Sequence, residues 1–266
     1  MSCFEVYAIR YGRVANRTRR ESFLGLDAHD AAPYPLDYFI WLIKNDEHCF
    51  VVDLGFDHIE AEARGRVLDL LPREALARLG VKAAEVKEVI VSHLHYDHAG
   101  CFADFPNARF HLQEVEMQYA TGRCMTYEHL RHPYTCDHVV SAVRQVFAGR
   151  VAFADGDREL VPGLSVHLIG GHAKGIQATR VMTQRGPVLL ASDATHYYEN
   201  FLNYRPFIIA HDVEATLRGY DRMRELTPST GHIIPGHDPL VMQLYPAPSP
   251  ELEGIAVRLD VPPRQR

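Results

Sequence analysis

The sequence predicts an α/β protein in which two β-sheets pack face to face with helices outside. Three observations carry that expectation. Short apolar runs of strand length gather at the start of the chain and again after residue 150, with stretches of helical spacing beside them. No linker, repeat or low-complexity segment separates the two sets, so residues 1–266 are read as one domain. At 266 residues the chain can bury a sizeable core without a disulfide framework.

Taken in order, Phe4–Ile9 alternates, Tyr38–Ile43 is rich in β-formers, and Cys49–Leu54 is a brief apolar run ending in Asp53-Leu54-Gly55. All three are predicted strands. Residues 57–80 are predicted helical, with Ile59, Ala63, Val67 and Leu70 at helical intervals. Pro72 opens a second segment there, and Gly80 ends it. Val86–Val91 is the next strand. Residues 112–150 form the most helical region, clearest over Gln113–Tyr119 and Asp137–Phe147, around a loop at Thr121–Cys136 rich in aromatics, His and Gly. Strands return at Val151–Ala154, Leu164–Ile169, Ala178–Thr183 and Val188–Ala191. Asp212 is a suitable cap for a helix running to Leu226, where Val213, Leu217, Tyr220 and Met223 keep helical spacing. Thr230–Ile234 is the last predicted strand, and the tail, rich in Pro and polar residues, is expected to be loosely attached.

Composition narrows the function. A formal charge of −6, with Arg17–Arg20 as the one local basic patch, weighs against nucleic acid as a partner. No stretch approaches about 20 apolar residues, so no membrane span is expected. The first residues hold an acid at Glu5 and no long apolar run, which argues against a signal peptide. Five cysteines, an odd number without Cys-x-x-Cys spacing, suit a reduced cytoplasmic protein with free thiols.

The chemistry is concentrated in Val91-Ser92-His93-Leu94-His95-Tyr96-Asp97-His98, directly after an apolar strand. His93 and His95 are two apart, so in extended chain they point the same way. Asp97 and His98 follow in a turn, where neighbours can aim differently. Imidazole nitrogens and carboxylate oxygens are suitable zinc ligands, and four in six residues exceed what one ion can easily take from one turn. Three more candidates stand at predicted strand ends beside glycine or small residues: His172 in Gly170-Gly171-His172, Asp193 in Ala191-Ser192-Asp193, and His237 in Pro235-Gly236-His237.

His-x-His-x-Asp-His followed by distant Gly-His, Ser-Asp and Gly-His resembles the metal-binding signature of the metallo-β-lactamase superfamily from Asp53 to His237. The resemblance implies a four-layer αβ/βα sandwich. It implies one metal on His93, His95 and His172, a second on Asp97, His98 and His237, and Asp193 bridging both. It also implies that Asp53 orients a ligand from behind. Two divalent ions are expected, zinc by ligand chemistry, with iron or manganese as alternatives. A water shared by two such ions has a pKa lowered towards ~7, and the resulting metal-bound hydroxide would attack a carbonyl or phosphoryl centre. Asp97 could also shuttle a proton.

For substrate, the chain's size, the Ser192-Asp193-Ala194 segment and the helix near Asp212 look most like the N-acyl-homoserine lactone lactonases. That resemblance implies quorum quenching, by opening a small lactone or similar ester. The alternatives are a glyoxalase II-like thioesterase and an iron-dependent sulfur dioxygenase-type oxidoreductase. One position departs from the lactonase pattern, which has tyrosine three residues after the bridging aspartate. Here His196 stands there, followed by Tyr197 and Tyr198. Either Tyr197 takes over the catalytic hydroxyl or His196 supplies a different donor for a different substrate. His211 is a further candidate for reaching substrate. His129, His132, Tyr134 and His138, in the long insert, could form a lid or the contact of a homodimer. The loop Tyr11–His29 is also a candidate cover.

Overall fold

The computed structural model describes residues 3–264. Along β1 (Glu5–Val14), Val6 and Ala8 turn to one side and Tyr7, Ile9 and Tyr11 to the other; along β2 (Leu36–Lys44), Phe39, Trp41 and Ile43 oppose Tyr38, Ile40 and Leu42. Both faces are buried, which is why these strands read as near-continuous apolar runs. The sheet continues through β3 (Cys49–Val52), and a two-residue β4 (Val67–Leu68) pairs with β1 between helices α1 (His58–Arg64) and α2 (Pro72–Arg78). β5 (Glu88–Ile90) and β6 (Arg109–Gln113) follow. After α3 (Glu114–Ala120), α4 (Glu128–Arg131) and α5 (Cys136–Phe147), β7 (Val151–Ala154) completes that side.

The second sheet contains β8 (Arg158–Val161), β9 (Leu164–Leu168), β10 (Gln177–Thr183) and β11 (Gly186–Ser192). Two helices follow, α6 (Tyr198–Leu202) and α7 (Val213–Glu225), and then β12 (Ile233–Pro235), which runs parallel to β11. The chain ends with α8 (Leu240–Leu244) and β13 (Ala256–Arg258) on the far edge of the first sheet, which has the order β13-β1-β2-β3-β5-β6-β7.

Three apolar cores fill the spaces between layers. Phe39, Trp41 and Ile90 meet Val166, Val188 and Ile234 between the two sheets. Ile40, Val89 and Phe110 pack with Leu76, Phe102 and Val139 on the outer face of the first. Leu189 and Ile233 pack under Tyr220, Met223 and Phe201 on the outer face of the second. Helix, sheet, sheet, helix is the expected four-layer sandwich.

Several local expectations need correction. β6 runs into the region read as helical by two residues, Leu112 and Gln113, because Phe110 and Leu112 face one core and the helix begins only at Glu114. Residues 67–68 pair with β1 rather than continuing a helix. β8 and α6 were not expected. Thr230–His232 is a 3-10 turn, with strand only from Ile233. The stretch read as a loop at Thr121–Cys136 includes a 3-10 turn and α4. The tail is not loose: Ala256–Arg258 pairs with β1, and Val257, Leu259 and Asp260 are buried. The Asp212 cap forms as expected, its carboxylate accepting from the Ala215 N–H at 2.9 Å. All five cysteines are free. Among the described residues, no helix is long and apolar enough to cross a membrane.

Candidate metal centre

The segments carrying the candidate ligands leave the ends of β3, β5, β9, β11 and β12 and converge at one edge of the sandwich. Two of the strand ends are strained: Asp53 (φ 66°) and Ser192 (φ 46°) take left-handed backbone that side chains disfavour. Such outliers cost about 1–3 kcal/mol each and persist only where the surroundings hold them, typically at functional sites. Gly236 precedes His237 for a steric reason. A Cβ there would stand 2.6 Å from the Ser192 carbonyl oxygen and 2.9 Å from Asp193 Oδ1.

Two groups of buried side chains result, each with its ligand-type atoms within 4.8 Å of one another: His93, His95, His172 and Asp193, and Asp97, His98, His237 and Asp193. Asp193 belongs to both and divides its oxygens between them. Oδ2 lies 3.2 Å from His172 Nε2 and 3.9 Å from His93 Nε2, while Oδ1 lies 2.8 Å from His237 Nε2 and 3.1 Å from His98 Nε2. Asp97 Oδ2 stands 3.5 Å from His98 Nε2 and 3.6 Å from His237 Nε2. The seven residues singled out in the sequence thus come together, in the same two groups. Among the described residues, the insert histidines form no third group.

The histidine rings are held from behind. His237 Nδ1 donates to the Asp37 carbonyl at 2.7 Å and His172 Nδ1 to the Ile209 carbonyl at 2.8 Å, which leaves each Nε2 lone pair facing the cluster. His98 Nδ1 donates to Asp53 Oδ2 at 2.7 Å. Asp53 is fully buried and also accepts from the Ser92 N–H at 2.7 Å and the Ser92 hydroxyl at 2.9 Å. Burial holds His93 and His95 well below the usual histidine range. Burial works the same way on His98, but Asp193, Asp97 and Asp53 together outweigh it and raise that ring. His93 Nε2, His98 Nε2 and Asp193 Oδ1 are buried yet have no hydrogen-bond partner. Orphaned nitrogen and oxygen atoms in such a cluster are what a bound cation satisfies, displacing any proton from the rings, so the residues present fit two divalent ions.

His196 and Tyr197 part company. His196 lines the cavity over the cluster, with Nε2 3.1 Å from Asp193 Oδ2 and its ring stacked at 3.5 Å on Phe207. Burial pushes its pKa down to about 3 against the pull of Asp193, so the ring is neutral. Tyr197 turns the other way, into Tyr34, Phe23 and Phe207, and does not line the cavity. His211 packs against the Tyr119 ring in a larger adjoining pocket of about 470 Å³, with His129, His132 and Tyr134 also in its wall. His138 instead points at Glu60, 3.7 Å away.

Sequence reasoning missed several residues here. Tyr38 and Tyr96, whose hydroxyls are 2.5 Å apart, line the cavity together with Arg17 and Arg66. Glu116 is fully buried between the two loops that carry His95 and His172. The one signal for Tyr96 was its place inside the His-rich segment. Arg66 and Glu116 lie on stretches that read as ordinary helix.

Comparison with known proteins agrees with this geometry. The sequence profile of the metallo-beta-lactamase superfamily matches residues 33–237. An N-acyl homoserine lactonase of Bacillus sp is 29% identical over 223 residues, covering 76% of this chain and 82% of the relative. The N-acyl homoserine lactonase AttM of Azorhizobium caulinodans is 32% identical over 174 residues, covering 60% and 61%. Among solved structures, a quorum-quenching N-acyl homoserine lactone lactonase superposes with a TM-score of 0.75 at 26% identity, over 90% of this chain and 94% of that one.

Proposed function

This chain belongs to the metallo-beta-lactamase superfamily, and from that premise we propose that it is a dinuclear metal-dependent hydrolase that opens a lactone ring or a similar ester. The observation that carries the proposal is Asp193, whose two carboxylate oxygens are divided between two complete, buried ligand groups. His93, His95 and His172 would hold one ion, Asp97, His98 and His237 the other, and Asp193 both. Zinc suits this nitrogen and carboxylate set. Such a pair of ions supplies Lewis acidity and a water of lowered pKa when bound.

The protein's own groups arrange the rest. The Asp37 and Ile209 carbonyls and the Asp53 carboxylate fix three rings in the ligating tautomer. His196 stays neutral and carries its proton on Nε2, beside Asp193 Oδ2. Once Asp193 is engaged as a ligand, that N–H can hydrogen-bond the substrate carbonyl oxygen or the departing alkoxide. Tyr197 is too far turned away to share this role. The complete second group, Asp97, His98 and His237, favours two ions over the single iron of a dioxygenase. The lactonase relatives, matched over 82% of their length, favour lactone over thioester.

The test joins metal analysis to a pH-stat assay. Protein purified without added metal and then loaded should hold two equivalents. It should release protons from N-acyl-homoserine lactones and simple γ- and δ-lactones. Thioester cleavage without lactone opening would transfer the assignment to the thioesterase reading, and full activity at one equivalent would end the dinuclear one.

A further inference from the structure

The cavity over the ligand groups carries positive charge that a neutral lactone would not use. Its wall includes Arg17, Arg64 and Arg66, and among the described residues its only carboxylates are Asp97 and Asp193, both members of the ligand groups. The three arginines differ in how far they are already engaged. Arg64 is used structurally: Nε pairs with Glu60, Nη1 donates to the His132 carbonyl at 3.1 Å, and Nη2 donates to Thr135 Oγ1 at 3.2 Å. Arg17 donates through Nε to Ser22 Oγ at 3.0 Å and through Nη2 to the Glu21 carbonyl. Its guanidinium sits 4.8 Å over Phe207, the ring that stacks on His196.

Arg66 is the exception. Only its Nε is engaged, donating to the Tyr96 hydroxyl at 3.2 Å. Among the described residues, neither Nη has a hydrogen-bond or ion-pair partner. The side chain is nevertheless anchored. Its residue follows the left-handed Gly65 cap of α1, its N–H donates to the Ala61 carbonyl at 2.8 Å, and the Tyr96 hydroxyl it holds is held in turn by Tyr38. A half-buried guanidinium with its two terminal nitrogens free is a fork suited to a carboxylate, which accepts two parallel N–H bonds. Asp97 is too committed to His98 and His237 to serve.

We propose that Arg66, supported by Arg17, binds a carboxylate carried by the substrate, so that among lactones or esters the enzyme opens one bearing an acid group in preference to its neutral counterpart. The proposal rests on the hydrolase reading above and names its substrate class. Two bound divalent ions would strengthen the same positive field and draw an anion to it. The cavity at Arg66 is small, about 60 Å³, so it suits the carboxylate end, while the adjoining pocket of about 470 Å³ takes the remainder.

The experiment compares γ-butyrolactone-γ-carboxylate with the corresponding neutral carboxamide on metal-loaded wild type, Arg66→Gln and Arg66→Lys. The readout is the ratio of kcat/KM for acid over amide. Wild type should favour the acid. Arg66→Gln should lower the ratio about 10- to 100-fold, the worth of a hydrogen bond to a charged group, and Arg66→Lys should restore part of it. The wild-type ratio should also fall as salt rises. A ratio unchanged in Arg66→Gln overturns the proposal whatever happens to the absolute rates, because a merely displaced Tyr96 would slow both substrates alike. A lactone bearing a phosphomonoester gives the other arm: a stronger, Arg66-dependent preference for it overturns the carboxylate assignment. Should wild type open none of these rings nor the N-acyl-homoserine and simple lactones named above, the hydrolase reading fails separately. Calorimetric titration with glutarate then decides the subsite, with binding at least about tenfold weaker in Arg66→Gln supporting it and equal binding overturning it.

Discussion

Replacing Glu116 should damage one metal position and spare the other. Its Oε1 accepts from the Leu94 N–H at 3.0 Å and the Tyr134 hydroxyl at 2.9 Å, and its Oε2 from the Gly175 N–H at 2.9 Å. Leu94 stands between His93 and His95, Gly175 closes the loop of His172, and the Tyr134 ring lies edge-on to His95 at 4.5 Å. One carboxylate therefore joins the two segments that carry the three histidines of the first ligand group. Glu116→Ala strands three buried donors at about 1–3 kcal/mol each, and water entering the space re-pairs some of them. The expected loss of stability is roughly 3–6 kcal/mol. Glu116→Gln keeps the shape but turns an amide NH2 onto a donor, at a cost of about 1–3 kcal/mol. Gly175→Ala should act similarly, since a Cβ there would stand 2.4 Å from Glu116 Cβ. Urea midpoints of the metal-free variants measure the first effect. Chelator competition on the loaded protein measures the second: of two release steps, one should be weakened about 10–100-fold, as for other groups that orient a ligand. An unchanged release curve in Glu116→Ala, or equal weakening of both steps, would refute the reasoning.

Asp53→Ala should instead weaken the other step by roughly 10–100-fold, because His98 Nδ1 loses its partner at 2.7 Å; unaltered metal retention would reject this. His196→Ala should lower kcat about 10–1,000-fold, whereas Tyr197→Phe should leave it near wild type, and the reverse order in a lactone assay would reassign the donor. Burial lifts the Asp37 carboxyl to about 6, against the pull of Arg10 at 3.5 Å. A carboxyl raised in the folded state adds stability below its ordinary value of 3.8, and that stability is lost as pH climbs through about 6. The swing is roughly 3 kcal/mol. Asp37→Asn should flatten the decline in urea midpoint between about pH 4 and 7, and an unchanged slope would disprove it.

The metal-type residues were legible because their chemistry is dense and local. His93, His95, Asp97 and His98 fall within six residues after a strand, and the three distant partners each follow a strand and a glycine or small residue. The layers were legible because strands such as β2 are apolar on both faces. What escaped were features defined by a distant partner. β6 is five residues long and merges into a helix, and β13 is a strand only because β1 offers it an edge. Glu116 reads as the outer face of a helix until Leu94 and Gly175 are brought against it. Arg66 reads as a solvated charge until Tyr96 and the cavity are placed beside it. The choice between His196 and Tyr197 was open in the sequence because adjacent residues leave a turn in different directions; packing against Phe207 and Tyr34 sets only which of the two side chains lines the cavity.

The division of ligands between the two halves of the chain has a consequence for folding. His93, His95, Asp97 and His98 come from the first sheet's side, and His172, Asp193 and His237 from the second's. Bound ions would therefore act as a clasp across the seam, closing long loops of chain that exist only after both sheets have docked. Yet the clustered four are close enough in sequence to grip a cation while the chain is still open. Metal taken up that early stabilises the unfolded ensemble as well, and subtracts from the gain on completing the clasp. The advantage of the loaded over the empty protein is then set by the three late-arriving ligands, and supplying metal during refolding should stabilise the protein less than the affinity of the finished site implies.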